Sequence, residues 1–193
     1  MTSEPDLRFL TAHEHAVLCA AADRLIPPLD AHPGGAALGA ADYVDRLLSA
    51  FTFDPPLIFA GGPFSGRAGG EASFDQFLTL SRHEELAWRT RIEGSGGRPE
   101  REFNGPTRGW QDIYREGIAA LGADFVDVDD DEQDRRLRDT RELRTVFYTH
   151  ACEGAYGAPE YGGNPDGAGW IAIQFPGDSQ PRGYTDDEVR GRA

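Results

Sequence analysis

Lysine is absent from this chain: its 19 basic residues are all arginine, set against 33 Asp and Glu, for a formal charge of −14. That balance argues against a nucleic-acid partner, because neutralising phosphates takes clustered cations. It also disfavours an anionic membrane surface. The arginine bias itself follows from a GC-rich genome as readily as from chemistry and carries little functional weight. Cysteine is scarce, with only Cys19 and Cys152, so there is no disulfide framework. Each falls in an expected helix, which favours two buried free thiols over a disulfide between them or to a partner. No dinucleotide fingerprint, no Cys-x-x-Cys-His haem attachment and no cysteine cluster for iron–sulfur is present. No apolar run approaches the roughly 18 residues that span a membrane. The start, Met1-Thr-Ser-Glu-Pro-Asp6, lacks the basic and apolar regions of a signal peptide. As the sequence stands, the expectation is a cytoplasmic protein. Alternating strand patterns of useful length are missing too.

What remains is helical periodicity. Thr11 and Glu14 have capping-box spacing before Leu18, Ala21, Ala22 and Leu25, and Pro27-Pro28 stop that helix. His13 and His15 lie two apart, cannot share a helix face and read as surface residues. After a Pro/Gly loop, Leu29–Gly39, a second helix is expected over Ala40–Phe51 with Val44, Leu47, Leu48 and Phe51 on one stripe. A long irregular stretch, Asp54–Gly70, follows. Its Gly61–Arg67 segment lacks the Gly-Lys-Ser/Thr ending of a phosphate loop. Phe74, Phe77 and Leu78 suggest a short helix. Ser81 and Glu84 repeat the capping box before Leu86, Trp88 and Ile92, and Gly94–Arg98 reads as a flexible turn. Trp110, Ile113, Tyr114, Gly117, Ile118 and Leu121 give the clearest helix, ended by Gly122.

Asp127, Asp129 and Asp131 resemble calcium ligands, but the sixth and twelfth loop positions are Glu132 and Arg138 rather than Gly and Glu. Acidic residues at a helix start, with Arg135, Arg136, Arg138, Arg141 and Arg144 behind them, fit the helix dipole better. Leu143, Val146, Phe147, His150 and Ala151 then form a buried stripe leading into the C-terminal segment. Thr185–Glu188 can cap one last turn. The expected architecture is all-α: one mostly helical domain over residues 1–193 with two long ordered loops rich in glycine, proline and aromatics.

The second of those loops is too rich in glycine for a regular element and too aromatic for a disordered tail. Tyr156, Tyr161, Trp170, Ile171, Ile173 and Phe175 would each gain about 1.5–3 kcal/mol from burial. The loop is therefore expected to wrap onto the helical body or onto a partner, with Trp170–Phe175 pairing briefly as a strand or lying extended.

His150, Glu153-Gly154, Pro159, Tyr161-Gly-Gly-Asn164, Gly169-Trp170 and Phe175-Pro-Gly177 resemble the C-terminal signature of the gluconate 2-dehydrogenase subunit 3 family. A weaker likeness covers Leu10–Pro28, Gly61–Arg67 and Trp88-Arg89. The resemblance implies a non-catalytic accessory subunit that stabilises, matures or escorts a larger flavin-dependent dehydrogenase of the glucose-methanol-choline type. FAD then belongs to that partner and no cofactor to this chain, and a cytochrome subunit is a further candidate partner. Members of the family often carry a twin-arginine export signal, so location in the cytoplasm, co-export to the periplasm with a partner and loss of a leader stay open. Phe64, His150, Glu153, Tyr161, Asn164, Trp170 and Phe175 are the expected interface or loop-anchoring residues.

An enzyme reading rests on His150 and Glu153, which share a helix face and can do acid–base work or hold a metal. The simpler reading of His150 is a buried residue that fixes the loop by hydrogen bonds. The alternative function is a stand-alone sugar-binding protein or enzyme, with the aromatic loop, Asn164 and Asp166 as its platform.

Overall fold

The computed structural model describes residues 6–54, 56, 58 and 80–176. Phe64 and Gly61–Arg67, the expected helix at Phe74–Leu78 and the turn at Thr185–Glu188 lie outside the described residues. Among the described residues seven α-helices run in the order α1 Ala12–Leu25, α2 Ala40–Leu48, α3 Arg82–Glu93, α4 Trp110–Leu121, α5 Asp130–Asp139, α6 Arg141–Tyr156 and α7 Ala168–Ala172. Among the described residues there is no strand, only an isolated bridge between Leu29 and His32. The chain is all-α.

Local chemistry sets the helix ends. Both capping boxes form, Thr11 with Glu14 and Ser81 with Glu84, each side chain satisfying a backbone amide the helix leaves free. Asp129 caps α5 by accepting from the Glu132 amide, so the acidic run is a helix start. Along α5, Arg135 and Arg136 bond Glu132, and Arg136 also grips Asp124. These bonds hold the half-buried Glu132 carboxyl down at about 2. Arg24 of α1 reaches Asp134 at 2.8 Å and pairs with Asp130, tying α1 to α5.

The main core joins Val17, Leu18 and Ala21 of α1, Val44 and Leu48 of α2, Tyr114 and Leu121 of α4, and Leu143 and Phe147 of α6. Helices α2 and α6 make the most extensive pairing. Gly154 permits it: a Cβ there would stand 2.7 Å from Cβ of Tyr43, so any side chain would push the helices apart. A smaller cluster of Leu47, Ala50, Ile58 and Ile92 meets the main core at Tyr43 and Trp110.

Three expectations change. The helical run through the arginines breaks at Thr140, whose hydroxyl and amide both turn back to the Arg136 carbonyl. That local competition ends α5 and lets α6 start in a new direction. The turn at Gly94–Arg98 is pinned rather than flexible: Ser95 bonds Thr107 and Glu102, and the Arg101 guanidinium donates to the Gly94 carbonyl at 3.0 Å. Trp170–Ala172 is neither strand nor extended but part of α7, and Ile173-Gln174 turn after it.

Candidate functional site

Helix α6 carries His150 into the core and Glu153 to its edge. His150 is 3% exposed. Its Nδ1 lies 2.9 Å from the Tyr114 hydroxyl, the Trp110 ring meets it edge-on at 4.5 Å, and Tyr114 stacks at 5.9 Å. Burial lowers its pKa to about 4, so the imidazole is neutral at ordinary pH. One turn on, Glu153 accepts a hydrogen bond of 2.8 Å from the Tyr43 hydroxyl on α2. Burial, followed by that carboxylate, pushes the Tyr43 phenol far above its usual range and keeps it a donor.

The two residues that share a face in the sequence are thus held by different phenols from different helices, and no hydrogen bond joins them among the described residues. Nor do those residues contain a group of three His, Cys, Asp or Glu able to hold a metal. A cavity of about 290 Å³ opens beside Glu153, lined also by Tyr43, Leu47, Ile58, Trp88 and Tyr161. Among the described residues its lining combines the Glu153 carboxylate and the Tyr43 and Tyr161 side chains with the apolar walls of Leu47, Ile58 and Trp88.

Past α6 the chain is knotted around Asn164, which is 0% exposed. Its amide donates to the Leu38 carbonyl at 2.8 Å, and its carbonyl accepts from Gly167 at 3.0 Å. Its side-chain Nδ2 donates to the Gly157 carbonyl at 2.8 Å while Oδ1 accepts from the Gly169 amide at 2.7 Å. The residue stands at φ +48°, a left-handed conformation that asparagine tolerates better than most. Gly169 is required for a different reason: a Cβ there would collide with the Ala155 carbonyl oxygen of α6. With both side-chain groups committed inside the fold, Asn164 anchors the loop and is not free to bind a sugar.

Trp170 is half-buried, and its Nε1 donates to the Tyr156 carbonyl at 2.7 Å. Tyr156 in turn bonds His32 in the α1–α2 loop. Beyond Trp170 the burial expected of the apolar residues ends. Ile171 is 75% exposed, Ile173 51% and Phe175 45%. Phe175 nonetheless folds back, its amide on the Trp170 carbonyl at 2.8 Å and its ring edge-on to Trp170 at 5.6 Å. Tyr161 lines the cavity beside Glu153.

Sequence reasoning passed over Tyr43 and Tyr114, whose hydroxyls decide what Glu153 and His150 do. It also missed Asp45, a buried carboxylate that accepts from the amides of Arg8, Phe9 and Leu10 at 2.8–3.0 Å. The signal was there: Asp45 sits within the apolar stripe of Ala41, Val44 and Leu48, where an acid must find donors.

The chain matches the family model for gluconate 2-dehydrogenase subunit 3 over residues 12–177. Neither a curated protein nor a solved structure matches it. The match takes in His150, the Asn164 knot and Trp170 together with the whole helical body, and the chain belongs to the gluconate 2-dehydrogenase subunit 3 family.

Proposed function

We propose that the chain is a non-catalytic small subunit that binds a larger flavin-dependent dehydrogenase of the glucose-methanol-choline type and stabilises or matures it. The observation that carries this reading is the run of exposed Ile171, Ile173 and Phe175 on a segment fixed by Asn164 and Trp170. Exposed apolar side chains grouped on a rigid support mark interaction surfaces, and rigidity lowers the ordering cost of binding. In this reading FAD belongs to the larger, flavin-dependent partner. The rival reading, a stand-alone sugar binder, keeps that cavity with its Trp88 and Tyr161 rings but loses Asn164 as a ligand.

The test is co-expression with a flavin-dependent dehydrogenase of the glucose-methanol-choline type from the same genome. The two should elute together, with more soluble and more active flavoprotein than when it is expressed alone. Separate elution with equal yield and activity would overturn the proposal. Stoichiometric flavin in the isolated chain would do the same.

A further inference from the structure

Helix α1 places His15 and Cys19 one turn apart on one face. The Cys19 sulfur lies 3.7 Å from His15 Nδ1. On the far side of the ring, His15 Nε2 lies 2.8 Å from Oδ1 of Asp42, in the first turn of α2. The run is therefore sulfur, imidazole, carboxylate, and it is distinct from the Glu153 and Asn164 sites. Both Cys19 and His15 are half-buried, and Asp42 is exposed, so the sulfur is sheltered without being sealed. The charged groups acting on the imidazole are Asp42 from α2 and Cys19 from its own helix. Glu14 beside it is engaged by the Thr11 amide. The Asp42 hydrogen bond, ahead of the Cys19 contact, pushes the imidazole up to about 10.

A carboxylate on one ring nitrogen fixes the ring and stabilises the imidazolium, leaving the N–H of the other nitrogen and its positive charge beside the sulfur. We propose that Cys19 is a nucleophilic thiol, with the His15 imidazolium as the cation beside its thiolate and Asp42 as a positioning residue, and that it forms mixed disulfides reversibly with small-molecule disulfides. The His15 imidazolium keeps its Nδ1–H towards the sulfur, and the thiol gives its proton to solvent. The thiolate attacks one sulfur of R–S–S–R, a Cys19–S–S–R bond forms as the R–S–S–R bond breaks, and the departing R–S⁻ takes up a proton from solvent. The exchange consumes one disulfide and needs no other oxidant. Cys152, also half-buried on α6, is the internal comparison, since the imidazole contact is to Cys19.

A structural clamp between α1 and α2 would show the same contacts without raising thiol reactivity, so the pH profile decides. The reagent is an uncharged dipyridyl disulfide, because a chain of charge −14 repels anionic ones. At pH 6.5 Cys19 should react at least ~10-fold faster than Cys152. The fast phase should vanish in Cys19→Ser and persist in Cys152→Ser. His15→Gln should slow the Cys19 phase about 10-fold at pH 6.5 and approach the parent rate near pH 10, where thiols ionise unaided. Asp42→Asn, which keeps the imidazole, should fall between the two. A Cys19 rate no higher than that of Cys152 at pH 6.5 overturns the proposal, as does a rate unchanged in both His15→Gln and Asp42→Asn.

Discussion

The stretch from Gly157 to Gly169 and the stretch from Trp170 to Pro176 are neighbours in sequence and opposites in physics. The first has few large apolar side chains, yet it is locked by the backbone and side chain of Asn164. The second holds Ile171, Ile173 and Phe175, yet leaves them in solvent. Order in this segment comes from satisfied polar groups, and the apolar residues are displayed by it rather than responsible for it. That inverts the usual division of labour, in which apolar burial holds a loop and polar groups face water. A segment built this way is organised to present a surface.

The largest effect should follow from cutting the lock. Asn164→Ala leaves the Gly169 amide and Gly157 carbonyl without their side-chain partners and replaces asparagine at positive φ by a residue that tolerates it less well, at a cost of about 2–4 kcal/mol. Asn164→Gly should recover about 1 kcal/mol of that by relieving the backbone alone. Urea unfolding of the two variants separates the terms, and equal stability of both with the parent would dissolve the distinction between the stretches.

Next in size is the buried imidazole that precedes the lock. An unfolded histidine takes its proton near pH 6.5, whereas His150 does so only near 4. The unfolded chain therefore binds more protons in that window, and stability falls by about 3 kcal/mol as pH drops through it. His15 has the opposite sign: its folded pKa is raised, so its contribution is full below pH 6.5 and lost as pH rises towards 10. The Arg-paired Asp124, Glu132 and Asp134 have lowered pKa values and add losses only below about pH 4.5. The range from pH 6.5 to 5 thus isolates His150. His150→Gln should flatten unfolding free energy across it, and an unchanged slope would show that the parent imidazole is not held neutral.

Trp170 stands at the border of the two stretches and should show a smaller effect. Half-buried, with a hydrogen bond to Tyr156 and a ring contact to Phe175 among its interactions, it should cost about 1–3 kcal/mol as Trp170→Ala, less than a fully buried tryptophan. Thermal unfolding gives the number. A cost matching Asn164→Ala would mean that the aromatic residue, and not the polar knot, holds the segment.

Sequence periodicity made the helical body legible because capping boxes and apolar spacing are local signals. Thr11 with Glu14, Ser81 with Glu84 and the stripe from Trp110 to Leu121 all appear as read. The C-terminal segment was recognisable as ordered, but its interior was not, since the bonds of Asn164 reach Leu38 on a distant loop. Exposure of Ile171 and Ile173 was equally hidden: residue type predicts a preference for burial, and only the path of the chain decides whether a cover exists. The roles of His150 and Glu153 depended on Tyr114 and Tyr43, 36 and 110 residues away in sequence, and no local pattern reports such pairs.

The most direct test of a displayed surface is the double variant Ile171→Ser, Ile173→Ser. Because both side chains are exposed in the free chain, its unfolding free energy should stay within about 0.5 kcal/mol of the parent. Affinity for the proposed flavin-dependent partner, measured by titration calorimetry or by co-elution, should fall at least ~10-fold, as expected where a few apolar anchors carry binding. An unchanged affinity with unchanged stability would contradict the account, because the apolar face would then be neither support nor interface.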